Sequence, residues 1–409
     1  MNFGKRAFKS LFNAALIVLI SVIISANYRP IQEQIHKGIY WLNDINETAA
    51  DALYEFNRVV FNGTEFDTER YTKRAIYSGY ESVVMISTRN VLPGVTEGGG
   101  LGTGFFVKVD DNNGWIVTNH HVVAEAVNTP ILWKVSVNTA LDMWDYDAEI
   151  VGVDEVADIA VLKITKQDNE EWEALEWEDN DNIGVGMPVT VVGHGMSLAW
   201  SGTTGIVSYA GRYGARPYSL MVQIDAVINR GNSGGPVIGS NGKVVGVAQS
   251  LLSPGRSMPG WDGVGLAVGA GQAKRAFDYI MSSEYAEKGY VPYAEYPLAM
   301  GTLELAAVKD IDPDDRHYAY IDYSTQTDES TKTVGEESGL QQGDVILEVD
   351  GENVRTSWSV LAKTVLALPG ETWTVKVQRG EDTKEIDIVL REMDRTQLLM
   401  ALVVPGGGR

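Results

Sequence analysis

Between Glu81 and about Ala276 the chain alternates short β-rich stretches with turns of Gly, Asn and Asp, and no regular series of helices separates them. Residues 82–86, 104–109, 115–118, 159–164, 189–192 and 243–248 read as strands of this kind. Many short strands without crossover helices favour a closed or packed all-β domain over a Rossmann-like parallel sheet. The expected architecture is a pair of β-barrels spanning residues 80–288, closed by a short helix over 273–281.

The chain has 409 residues, more than one hydrophobic core usually organises, so a second domain is expected. It is placed at 295–392, where Ser338 to Gly351 reads as a turn feeding an alternating strand. A helix over 358–366 and a strand over 373–377 follow, giving an α/β unit. The tail, 393–409, is expected to add an edge strand or to fray. At the other end, Lys5, Arg6 and Lys9 precede an apolar run from Leu11 to Ala26. Residues 1–27 are therefore expected to be a membrane helix, with the remainder outside the cytosol. A cleaved signal peptide is the alternative. Residues 28–79 read as a helical spacer, with Ile31, Ile35 and Ile39 repeating every four residues.

Chemistry concentrates in Gly231-Asn232-Ser233-Gly234-Gly235-Pro236. The glycines permit a tight bend, and in such a bend the amides of Gly231 and Ser233 can point at one spot where an oxygen gains negative charge. Ser233 alone is a poor nucleophile and needs a base and an orienting carboxylate. His121 follows the predicted strand 115–118 and is the candidate base, with His120 its neighbour and rival. Asp158 stands immediately before the apolar strand 159–164 and is the candidate carboxylate; Asp154 competes with it. His194, in a glycine-flanked turn, is expected to be solvent-exposed or locally hydrogen-bonded.

The ordered set His121, Asp158 and Ser233 resembles the chymotrypsin-like fold, and more closely the HtrA/DegP/DegS family of PDZ-bearing serine proteases. The matching pieces are Gly102-Thr103-Gly104-Phe105, Thr118-Asn119-His120-His121-Val122-Val123, Ala157-Asp158-Ile159-Ala160-Val161-Leu162, Thr204-Gly205-Ile206-Val207-Ser208 and Asp225 to Pro236. The resemblance implies a chymotrypsin-like double β-barrel followed by a PDZ-like domain. It makes His121 the general base, Asp158 its orienting acid, Ser233 the nucleophile, and the amides of Gly231 and Ser233 the oxyanion hole. It further implies that Val227, Ile228, Gln249, Ser250 and Leu251 line an apolar pocket for a small or medium aliphatic residue. Arg212 falls in the loop through which the family relays PDZ occupancy. A C-terminal peptide is the implied PDZ ligand and a homotrimer the implied assembly. His120 stands where the family commonly has asparagine.

The reaction expected is endopeptidic hydrolysis of unfolded or regulatory proteins, which requires no cofactor or metal. A formal charge of -22 argues against nucleic acid as a partner. The absence of cysteine excludes disulfides and a thiolate nucleophile. The expected location is the bacterial inner membrane with the catalytic domain in the periplasm, or a soluble periplasmic form after signal cleavage. The competing function is a peptide-binding chaperone with weak or no proteolysis.

Overall fold

The computed structural model describes residues 82–92, 99–139, 145–167, 171–194, 200–213, 218–249, 263–297, 319–320, 332–354 and 357–403. The expected N-terminal apolar helix and the spacer 28–79 lie outside these residues. The first six strands are β1 (Val83–Asn90), β2 (Leu101–Val109), β3 (Asn113–Thr118), β4 (Trp133–Thr139), β5 (Asp145–Asp154) and β6 (Ile159–Thr165). Helix α1 (His120–Asn128) stands between β3 and β4. They close into an antiparallel barrel in the order β1-β2-β3-β6-β5-β4, with β4 returning to β1. Its interior is filled by Val84, Ile86, Phe106, Ile116, Leu162 and their neighbours. Trp172 stacks on Phe106 with centroids 4.8 Å apart, adding aromatic contact to the apolar burial.

A second closed barrel follows, formed by β7 (Pro188–Gly193), β8 (Ser201–Tyr213), β9 (Leu220–Ile224), β10 (Pro236–Gly239), β11 (Val244–Gln249) and β12 (Gly265–Gly269) in the order β10-β11-β12-β9-β8-β7. Val191, Val222, Ile224, Val237 and Val245 belong to its core. Strands β6 and β11 are buried almost throughout, because each has one face inside its barrel while the other packs outward. That accounts for their continuous apolar runs in place of the alternation of a half-exposed strand. Closing both sheets removes the free edges that a row of short strands would otherwise present.

Helix α2 (Ala270–Ile280) buries Ala273, Ala276, Phe277 and Ile280, and the six-residue α3 (Ser283–Lys288) ends at Gly289 in the left-handed conformation. The expected helix at 273–281 is therefore present and starts three residues earlier. The C-terminal unit contains β13 (Ala319–Tyr320), α4 (Val334–Ser338), β14 (Val345–Val349), β15 (Glu352–Asn353), α5 (Ser357–Leu366), β16 (Thr372–Arg379) and β17 (Asp382–Val389). Its sheet runs β13-β14-β16-β17, with β15 added to β14 and β13 at one edge. In the motif that revealed it, the buried Asp344 receives Arg379 Nε and Nη2, each at 2.7 Å, and the Gln341 N–H at 2.9 Å. This bidentate pairing ties the α4–β14 turn to β16.

The tail differs from the expected edge strand. Arg395–Val403 forms helix α6, and Leu398 enters the apolar cluster that contains Phe277, Ile280 and Val291. Val365 of α5 joins the same cluster, so apolar packing runs from the barrels into the C-terminal unit. Arg275 of α2 adds a polar tie, donating from Nη2 to the carbonyls of Pro292, at 2.6 Å, and Ala367, at 3.0 Å.

Candidate active site

Three connections meet at the seam between the barrels: β3 to α1, β5 to β6, and β9 to β10. His121 occupies the first turn of α1, and Asp158 sits in the β5–β6 turn. His121 Nδ1 lies 2.7 Å from Asp158 Oδ2, and the His121 backbone N–H donates to Oδ1 at 2.9 Å. The Asp158 side chain is 3% exposed and that of His121 is 29% exposed, so the carboxylate is sequestered while the ring reaches the surface. Asp158 thus grips the histidine by both ring and backbone. Its competitor Asp154 turns away, accepting the N–H groups of Val156 and Ala157, each at 3.0 Å, and the Tyr293 hydroxyl at 2.7 Å. Burial pushes the Asp154 carboxyl above its usual range, opposed first by the Ala157 N–H and then by Tyr293.

The backbone of Asp158 has φ 58°, an uncommon conformation for a residue with a Cβ. Its carbonyl is held by the His120 N–H at 3.1 Å and Asn119 Nδ2 at 2.9 Å. Asn119 stands at the N-cap of α1 but directs its side chain to this carbonyl. A fifth contact comes from β11: Gln249 Nε2 donates to Asp158 Oδ2 at 2.5 Å. Gln249, expected in the substrate pocket, is 6% exposed and faces the carboxylate.

Ser233 lies on the β9–β10 connection and is 3% exposed. Its carbonyl accepts the Thr103 N–H at 2.8 Å, and the next amide, Gly234, donates to Ala248 at 2.9 Å, beside Gln249. The serine turn is thereby pinned to both barrels. Gly231 and Gly234 have φ of 98° and 85°. A Cβ on Gly234 would also come within 2.2 Å of the Thr103 carbonyl oxygen and Thr118 Oγ1, and 2.9 Å of the Asn119 nitrogen. The turn therefore presses on the segment leading into His121, and only glycine supplies both the angle and the clearance.

Of the remaining expected residues, Val227 is 54% exposed and Ile228 packs partly against the second-barrel core. Ser250 and Leu251 lie outside the described residues. The Arg212 backbone pairs with Met221, and its side chain is outside the description. Of the two expectations for His194, exposure fails, since it is fully buried at the end of β7; it is hydrogen-bonded instead, to Thr103 Oγ1. Burial lowers its pKa to about 4. Thr103 and His194 were legible only as a threonine between glycines and a glycine-flanked histidine, which carry no sign of what they touch.

Two antiparallel barrels with a His–Asp pair and a serine turn at their seam define a trypsin-like serine peptidase domain. Residues 102–247 match the family model of the trypsin-like peptidase domain, and residues 332–390 match that of the PDZ domain. The chain carries an HtrA/DegP-like serine protease domain followed by a PDZ domain. It is 31% identical over 293 residues to a probable periplasmic serine endoprotease DegP-like of Brucella suis, covering 71% of this chain and 52% of that protein. A protein of the same description from Chlamydia trachomatis is 31% identical over 303 residues, covering 74% of this chain and 56% of that one. The chain spans about half the length of the curated relatives it matches. Among solved structures, the HtrA-type protease AlgW with tripeptide shares the fold at TM-score 0.56 and 21% identity, covering 83% of this chain and 99% of that one.

These findings correct the expected location. The relatives are described as periplasmic, which overturns placement in the inner membrane. Among the described residues no helix is long and apolar enough to cross a membrane.

Proposed function

We propose that the protein is a serine endopeptidase of periplasmic protein quality control or regulated proteolysis, acting on unfolded or regulatory proteins. The observation that carries this reading is the 2.7 Å contact of His121 Nδ1 with a buried Asp158, set beside a serine turn fixed to both barrels. In this reading Asp158 keeps the Nδ1 proton in place, leaving Nε2 to take the Ser233 proton as Oγ attacks the peptide carbonyl. The amides of Gly231 and Ser233 receive the oxyanion. His121 returns its proton to the leaving amine, and water then repeats the attack on the acyl-enzyme. The chemistry calls for no cofactor.

Val227, apolar and half exposed, with Ile228 beside it, supports cleavage after small or medium aliphatic residues. No acidic side chain occupies Val227, where a trypsin-like enzyme would receive Lys or Arg. The two matched regions support a protease domain at 80–288 and a PDZ-like domain at 295–392, with 393–409 as a C-terminal tail in which Arg395–Val403 is helical. Strand β13 forms an edge of the sheet and α5 packs against it, an arrangement that supports addition of a peptide C-terminus as a further strand. Family resemblance puts the loop that would take the peptide carboxylate near residues 299–302, outside the described residues. Resemblance to the family supports a homotrimer, which sedimentation tests, and a relay role for Arg212, which peptide-stimulated activity of Arg212→Ala tests.

The PDZ match also favours a second reading, peptide binding with weak or no proteolysis. One experiment separates the two. The purified protein is expected to degrade an unfolded substrate, and Ser233→Ala to abolish that degradation while leaving peptide binding intact. Equal, negligible turnover by both proteins would support the binding reading.

A further inference from the structure

The carbonyl of Gly231 is clamped from the first barrel, by Thr103 of β2. Thr103 Oγ1 lies 2.6 Å from it, and a carbonyl oxygen only accepts, so the hydroxyl proton is committed there. The same Oγ1 accepts the backbone N–H of His194 at 3.1 Å and stands 3.0 Å from His194 Nδ1. With its one proton already given, the hydroxyl meets Nδ1 as an acceptor. Nδ1 therefore carries the ring proton, and Nε2 is the bare nitrogen.

The surroundings agree with a neutral ring. His194 is fully buried and meets Trp200 edge to face, with centroids 4.9 Å apart. Burial also lowers its pKa to about 4, so it is uncharged at neutral pH. The peptide that Thr103 holds is fixed at its other end as well, since the Asn232 N–H donates to the Asn229 carbonyl at 3.0 Å. Thr103 further donates its own N–H to the Ser233 carbonyl at 2.8 Å. One threonine thus grips the turn on both sides of Asn232, and His194 sets the direction of its hydroxyl.

We propose that His194, as the neutral Nδ1–H tautomer, is a positioning residue that locks the Thr103 hydroxyl onto Gly231 and so fixes the oxyanion turn. This deepens the protease reading and rests on it for the role of Gly231. Without the ring donor, only the His194 backbone N–H still opposes rotation of the Thr103 hydroxyl, and the hold on the 231–232 peptide weakens at its carbonyl end. Preorganised donors are effective because they need no rearrangement as charge develops.

The test uses the full chain with 15N-labelled histidine, together with His194→Phe and His194→Asn. Asparagine places an N–H donor at about the position of Nδ1, whereas phenylalanine fills the space without one. Beside His121, which carries its own Nδ1 proton in the protease reading, the expected spectrum contains a second imidazole with protonated Nδ1 and bare Nε2, absent from both variants and unchanged between about pH 5 and 8. His194→Phe is expected to lower kcat about tenfold or more with KM little changed, and His194→Asn to restore most of it. The opposite tautomer overturns the proposal, as does wild-type kcat in a folded His194→Phe. Should His194→Phe fail to fold, the tautomer and the kcat of His194→Asn still decide. The tautomer does not depend on turnover: finding it in a protein that cleaves nothing sinks the protease reading and leaves the clamp, whereas cleavage with the reverse tautomer does the opposite.

Discussion

Tyr293, on the segment joining the second barrel to the C-terminal sheet, donates its hydroxyl to Asp154 Oδ2 at 2.7 Å, four residues before Asp158. Both partners are buried, and the Arg275 guanidinium lies over the tyrosine ring at 4.6 Å. Burial and the neighbouring Asp154 charge push the Tyr293 hydroxyl well above its usual pKa, so it remains a donor. Tyr293→Phe keeps the ring and its packing but removes the donor from a buried carboxyl. The expected cost is about 1–3 kcal/mol. It is read from the urea midpoint at constant m; an unchanged midpoint refutes it.

Asp158→Asn tests how the histidine is oriented. The amide is nearly the same shape but can present a donor to His121 Nδ1, favouring the wrong tautomer. A fall in kcat of about ten-thousandfold is expected, with thermal stability largely kept. Steady-state kinetics beside a thermal melt would show this, and a drop of less than about tenfold would reject Asp158 as the orienting acid.

Gly234→Ala combines a φ of 85° with a Cβ 2.2 Å from the Thr103 carbonyl oxygen. Strain and overpacking together are expected to remove about 2–5 kcal/mol of stability. Chemical denaturation measures the loss. A neutral substitution would mean that the turn has more room than the barrel seam shows.

Acid stability should depend on His194. Its folded pKa of about 4 lies below the unfolded value of 6.5, so the unfolded chain binds the extra proton in between. The stabilisation is complete above pH 6.5 and is lost as pH falls toward 4, with about 3 kcal/mol at stake. His194→Asn removes that titration. Urea unfolding at about pH 7 and about pH 4 should show a smaller acid loss in the variant, and identical losses would refute the assignment.

The barrels were legible because short β-rich runs between turn residues repeat along the chain, and His121, Asp158 and Ser233 because each stands beside such a run. Gln249 was not. Its position at the end of β11 locates it near the site, but whether its amide faces substrate or Asp158 depends on how two strands pack across the seam. The burial of His194 was hidden for a related reason: flanking glycines signal a turn, and only the packing of the second barrel on the first buries that turn against Thr103. The tail misled differently, since a short apolar run carries too little periodicity to separate an edge strand from α6.

The hold of Thr103 and Ala248 on either side of the serine turn has a consequence for biosynthesis. One anchor belongs to the first barrel and the other to the second, so neither barrel alone supplies the restraints that shape the turn. A nascent chain with only its first barrel closed has a histidine and an aspartate but no serine turn to serve. Assembly of the reactive centre is thereby deferred until the catalytic domain is whole, a safeguard intrinsic to a split architecture and independent of any removable propeptide.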